Sequence, residues 1–173
     1  MKRIFIILSL ICVVSIIAGC SSKKEAPSSN SPFQKSSNQG VVMDEATIKE
    51  FEKYSGKFEE TLKQSNDLLR TFNRSLDGLY TGDNSDKQFA EIMKKNIESS
   101  RELIATVEEY EVSSAVTKYN QSLITYLNQQ HQLFLEAVDM AINEDIDKDQ
   151  LRSEYLEIKT IQTEIETAFL SGE

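Results

Sequence analysis

The chain has 173 residues, with 19 basic and 28 acidic side chains, a formal net charge of −9 and 39% hydrophobic residues. An acidic balance of this size repels nucleic acid and anionic headgroups, so no nucleic-acid partner is expected and the charge speaks mainly for solubility. There is no tryptophan, the two prolines are Pro27 and Pro32, and Gly, Pro and Asn-Gly punctuation is almost absent after residue 82, which excludes a turn-rich β fold and points to an all-α one.

Lys2 and Arg3 open the chain, and Ile4 to Ile17 is an apolar run interrupted only by Ser9 and Ser15. A positive start, about fourteen apolar residues and small residues at the end have the form of a secretion signal. A spanning helix would need about 20 apolar residues. The run closes on Ile17-Ala18-Gly19-Cys20, which resembles the lipobox of bacterial lipoproteins. That resemblance implies removal of residues 1–19 as a signal peptide, cleavage between Gly19 and Cys20, and a diacylglycerol thioether on the Cys20 sulfur whose acyl chains are of the palmitate kind. It further implies a lipid-anchored protein on the extracytoplasmic face of the cell membrane, with membrane lipid as the partner of Cys20. An ordinary cleaved signal would instead leave Cys20 a free thiol. One buried acyl chain anchors reversibly, at about 0.8 kcal/mol per methylene, whereas two give stable retention.

Loss of the leader removes Lys2 and Arg3 and no acid, so the charge moves from −9 to −11. Cys12 leaves with it and Cys20 is committed to lipid, so no disulfide is expected and the fold rests on packing. The Lys-, Asn- and Ile-rich character points to an envelope of the Gram-positive type, with a single membrane to anchor in.

Residues 20–43 read as the lipidated cysteine and a flexible tether, rich in Ser, Asn, Lys and Pro with Phe33 as the only aromatic. Such a segment buries too little apolar surface to offset its ordering entropy. As a random coil it reaches roughly 25 Å.

Residues 44–173 read as one helical bundle domain. Asp44 is placed to cap a first helix, with Glu45 in its first turn. Spacings of three and four then pick out Ile48, Phe51, Ser55, Phe58, Leu62, Ser65, Leu69, Phe72, Leu76 and Leu79, a coiled-coil-like seam about 50 Å long. Gly56 is a place for a close contact or a bend. Gly78 and Gly82 end this helix, and Ser85 or Asp86 caps the next. The second helix is expected over 86–111, with Phe89, Met93, Ile97, Ser100, Ile104 and Val107 inward, widened by Ile92, Leu103 and Tyr110. A break at Val112-Ser113-Ser114 is preferred over one continuous helix, because folding back gives every apolar stripe a partner. A third helix then spans 114–143, with Tyr119, Leu123, Tyr126, Leu127, Leu133, Phe134, Ala137 and Met140 inward. After an acidic turn over 143–149, a fourth spans 148–170 with Leu151, Tyr155, Ile158, Ile161, Ile165, Ala168 and Phe169 as its seam. Such helices most simply make an antiparallel up-down four-helix bundle with a long first helix.

One set of residues has metal-ligand spacing. Asn143, Asp145, Asp147 and Glu154 fall at positions 1, 3, 5 and 12 of an EF-hand-like cation loop. Lys148 stands where that loop needs glycine, and Asn143 where it prefers Asp, so helix capping by Asp145 or Asp147 is the simpler role. No cofactor is expected. His131, the only histidine, has no second His, Glu-x-x-His pair or free Cys to work with and is expected at the surface or at a boundary. No serine sits in Gly-x-Ser-x-Gly or an equivalent catalytic frame. The tyrosines Tyr54, Tyr80, Tyr110, Tyr119, Tyr126 and Tyr155 are expected at bundle boundaries with their hydroxyls reaching water.

With no catalytic set, the sequence favours a non-enzymatic interaction module that meets an envelope protein or polymer. Ser55, Ser65 and Ser100 would mark a loosely packed place for a partner helix. The alternative is a ligand-binding lipoprotein that holds a small apolar molecule or a cation.

Overall fold

In a computed structural model the described residues are 45–172, and they belong to one compact unit. They form four α-helices and no strand: α1 (Glu45–Thr81), α2 (Asp86–Glu108), α3 (Thr117–Ile142) and α4 (Lys148–Ser171). The leader, Cys20 and the tether lie outside the described residues.

The 37 residues of α1 make it the longest helix, about 55 Å at 1.5 Å per residue. Its buried stripe runs Tyr54, Phe58, Leu62, Ser65, Leu69, Phe72, Leu76 and Leu79, widened by Thr61 and Ser75. The expected seam fails at its start. Tyr54 takes the inward place assigned to Ser55, which is half-buried and donates to Glu59 Oε1 at 3.3 Å, and Ile48 is 44% exposed. A straight helix turns every 3.6 residues and drifts off a strict seven-residue repeat, so counting back from Phe58 lands on Tyr54. Gly56 is exposed, and a Cβ there would meet nothing within 4 Å, so it makes no close contact.

Gly78 does need its missing side chain. A Cβ there would come within 2.3 Å of Asn84 Nδ2, which donates to the Ser75 carbonyl at 3.0 Å while Asn84 N–H donates to the Gly78 carbonyl at 3.0 Å. Asn84 thereby closes the end of α1, and Gly82, at φ +80°, turns the chain. Ser85 is the cap of α2: its Oγ accepts from Gln88 N–H at 3.3 Å, and its own N–H donates to Gln88 Oε1 at 2.9 Å.

α2 stops at Glu108, three residues before the expected end, and the break extends from 109 to 116. The reason is tertiary. Tyr110 leaves the helix so that its hydroxyl lies 3.1 Å from Thr61 Oγ1, with the Lys57 ammonium 4.4 Å from its ring centre. Val116, 1% exposed, enters the core just before α3.

Side chains across the helices pair in a consistent order. Along α1 and α4 the partners are Tyr80 with Asp149, Asp77 with Arg152, Asn66 with Lys159, and Phe51 with Phe169, so numbers fall on one helix as they rise on the other. Between α1 and α2 they are Phe72 with Phe89 and Leu68 with Asn96. Between α1 and α3 the order rises together, Tyr54 with Asn120 and Ser65 with Gln130. The core between them holds Phe58, Leu69, Phe72, Leu76, Phe89, Met93, Leu123, Tyr126, Phe134 and Leu151, each no more than 2% exposed. Beyond Ile158 the buried residues of α4 are Gln162 and Phe169, with Ile161 and Ile165 half-buried against the core.

Candidate functional site

Cys20 and Gly19, the lipidation and cleavage residues, lie outside the described residues. Among the described residues the candidates are the acidic turn, the single histidine, the buried hydroxyls and two surface clefts.

The turn does not gather its four oxygens. Asn143 is the C-cap of α3, with its N–H on the Asp139 carbonyl at 3.0 Å, and Asp145 N–H donates to the Met140 carbonyl at 3.0 Å. The left-handed residue is Glu144, at φ 58°, so the bend falls at the second position of the loop. Lys148, at the sixth, sends its ammonium to the Leu79 carbonyl of α1 at 3.0 Å. Asp147 caps α4, its Oδ1 accepting from Asp149 N–H at 3.1 Å and Gln150 N–H at 2.9 Å. Glu154 sits in the second turn of α4, where burial raises its carboxyl pKa, a hydrogen bond from Gln150 at 2.8 Å opposes the rise, and Glu136 of α3 adds to it. Among the described residues no three His, Cys, Asp or Glu side chains form a group able to hold a metal ion.

His131 has a partner that no motif announced. Its Nδ1 lies 2.7 Å from Ser100 Oγ across α2 and α3, a pairing over 31 positions visible only once the two helices are in register. A Ser–His contact invites a catalytic reading, but three features oppose it. Ser100 is 1% exposed, and its hydroxyl donates to the Ile97 carbonyl at 3.0 Å. No carboxylate is hydrogen-bonded to the imidazole among the described residues. Burial, and then the Arg101 guanidinium, lower the His131 pKa, so the ring favours its neutral form. The pair works as a clasp between helices.

Ser65 belongs to a second clasp. Ser65 Oγ lies 2.6 Å from Tyr126 OH and donates to Gln130 Oε1 at 3.0 Å, while Gln130 Nε2 donates to the Ser65 carbonyl at 2.8 Å. Ser65, Tyr126 and Gln130 are all fully buried. The expectation that Ser65 and Ser100 mark a docking place is therefore corrected, because both spend their hydroxyls inside the core. The tyrosines are corrected in part as well. Tyr126, Tyr54 and Tyr119 are buried, with burial pushing the Tyr126 phenol up to about 12 against the hydrogen bond to Ser65, and raising Tyr54 with help from Tyr110. Tyr80 does reach water, and its hydroxyl donates to Asp149 Oδ1 at 2.6 Å.

Two clefts open beside Phe169. One, of about 490 Å³, runs between α1 and α4 past Leu62, Asn66, Lys159 and Gln162. The other, of about 530 Å³, lies at the start of α1 between Ile48, Phe51, Tyr119 and Leu170 and is the more apolar. Phe169 separates them, stacked on Phe51 and Phe58 with ring centres 4.9 and 4.2 Å away. The residues that line these two clefts bring together no nucleophile, base and oxyanion donors. No family model, curated protein or solved structure matches the chain.

Proposed function

We propose that the chain is a lipid-anchored lipoprotein of the extracytoplasmic face of the cell membrane, held there through Cys20, and that its helices act as a non-enzymatic module that engages an envelope protein or polymer. The observation that carries this is Ile17-Ala18-Gly19-Cys20 behind a basic start and an apolar run. The four helices form an antiparallel up-down bundle with a long first helix in this reading, supported by the opposed order of the α1–α4 pairs and the parallel order of the α1–α3 pairs. No described helix is long and apolar enough to cross a membrane.

The partner-facing surface is the outer side of α4. Leu156, Thr160, Thr163, Thr167 and Leu170 are exposed at spacings of three and four, an uncharged strip in an acidic chain. A strip of that period suits the apolar side of an amphipathic helix.

Radiolabelled palmitate fed to cells that make the chain tests the anchor. Label is expected on the wild type and absent from Cys20→Ala, and globomycin should leave a precursor heavier by residues 1–19. Label that persists in Cys20→Ala, or no label on either chain, refutes the anchoring. Leu156→Glu tests the surface, and should release any partner crosslinked to the wild type in intact membranes.

A further inference from the structure

The cleft of about 490 Å³ between α1 and α4 holds hydrogen-bond donors that the fold does not use up. Lys159 Nζ donates to Asn66 Oδ1 of α1 at 3.0 Å and to Gln162 Oε1 of its own helix at 2.5 Å. An ammonium can meet only the oxygen end of a carboxamide, so this one lysine orients both: each oxygen faces Nζ, and each NH2 group is turned away from it. Among the described residues neither Asn66 Nδ2 nor Gln162 Nε2 finds an acceptor, and neither is sealed from solvent. Gln162 is only 7% exposed, so its carboxamide is held in place before anything binds. Lys159 is half-buried, pairs with no carboxylate among the described residues, and spends two of its three N–H groups on neutral oxygens. Beside these donors the wall is apolar, formed by Leu62 and the stacked rings of Phe58 and Phe169.

We propose that this cleft binds a small monocarboxylate with an apolar body. The carboxylate sits on Lys159 Nζ and the NH2 groups of Asn66 and Gln162, and the body lies against Phe58, Leu62 and Phe169. Three donor groups joined at one ammonium call for an acceptor, and hydrogen bonds to an ionised acceptor are about twice as strong as neutral ones. The remaining charges set the valence. Lys63 and Lys159 are matched on this cleft by Glu59 and Glu166, so one negative charge is accommodated, whereas the second charge of a dianion such as phosphate would face two carboxylates. The site is built wholly from α1 and α4, and it stands whether or not Cys20 carries lipid.

The test titrates the full chain, purified as cells process it and held in lipid nanodiscs, with para-fluorophenylacetate observed by fluorine NMR, empty nanodiscs serving as the blank. Saturable binding is expected, with the neutral para-fluorophenylacetamide weaker by about tenfold or more. Asn66→Asp exchanges a donor for a carboxylate and gives Lys159 an ion-pair partner, so the link between α1 and α4 is kept while the acid should bind about tenfold or more weakly. Lys159→Met frees both carboxamides and should weaken the acid by a similar factor; melting followed by circular dichroism checks that both variants are folded. Equal binding of acid and amide overturns the proposal, because the cleft would then be filled by apolar contact alone. Acid binding that survives Asn66→Asp also overturns it, by placing the probe elsewhere, as in the apolar cleft beside Phe51. No signal above the blank removes the site outright.

Discussion

Phe169 fastens the last two turns of α4, and its removal should show how much of the fold depends on that one ring. It is 3% exposed, stacks on Phe51 and Phe58, and meets Tyr54 and Tyr119 edge-on at 5.8 and 5.2 Å. Phe→Ala in a core costs about 3–5 kcal/mol, the larger values arising where surroundings cannot collapse. Here the two clefts leave neighbours room to move, and the last turns of α4 can fray rather than hold a void, so Phe169→Ala should cost about 3 kcal/mol, the low end of that range. For a domain of this size that is roughly 10 °C in Tm. Far-UV circular dichroism through a urea titration is the assay, because the chain has no tryptophan to report by fluorescence. Amide exchange should place the loss: residues 163–171 lose protection, while 149–158, held by Leu151, Ile158 and the Arg152 contacts to Asp77 and Asn73, keep it. A cost below about 1 kcal/mol would show that the aromatic stack contributes little, and uniform loss along α4 would show that the helix docks as one unit; either would refute the reasoning.

Asp147→Ala removes the acceptor for two N–H groups and should cost about 1 kcal/mol, with Asp147→Asn recovering most of it in the same titration. Added calcium should leave Tm unchanged in wild type and variant alike. Tyr126→Phe should cost about 1 kcal/mol, since Ser65 keeps Gln130 as an acceptor and no buried group is orphaned. His131 has a folded pKa below its unfolded value near 6.5, so as pH falls through 6.5 the unfolded chain takes up its proton first and stability declines, levelling off below the folded pKa. Chemical denaturation between pH 5 and 8 should show that limb flattened in His131→Gln. Glu154 acts in the opposite sense at lower pH: its raised folded pKa means that acidification through that value stabilises the fold, an effect removed by Glu154→Gln.

Much of the helical plan was legible because helices announce themselves in local spacing. The stripe from Phe58 to Leu79 follows from residues three and four apart, and a cap at Ser85 or Asp86 from the loop before them, with the structure choosing Ser85. What was not legible lies across helices. Ser65, Ser100 and Tyr126 look like weak points or boundary residues in one dimension, and only the register of α1, α2 and α3 shows that their hydroxyls meet Gln130 and His131. The early end of α2 has the same origin, because Tyr110 follows Thr61 rather than its own helical propensity. The acidic turn failed as a ligand set for a local reason that spacing conceals: with Glu144 making the bend, Asp147 faces α4 and Lys148 faces α1.

α1 has no basic residue in its last turn, and the cation at its carbonyl end is Lys148, which arrives from 69 positions away to hold the Leu79 carbonyl. The longest helix is thus finished by the first residue of the last one. Asn84 closes the Ser75 and Gly78 carbonyls locally, whereas the Leu79 carbonyl gains its partner only when the chain has been synthesised through Lys148 and α4 has docked, which makes that one contact a late, long-range event in folding. Until Lys148 arrives, the Leu79 carbonyl near the end of α1 has no cation to meet.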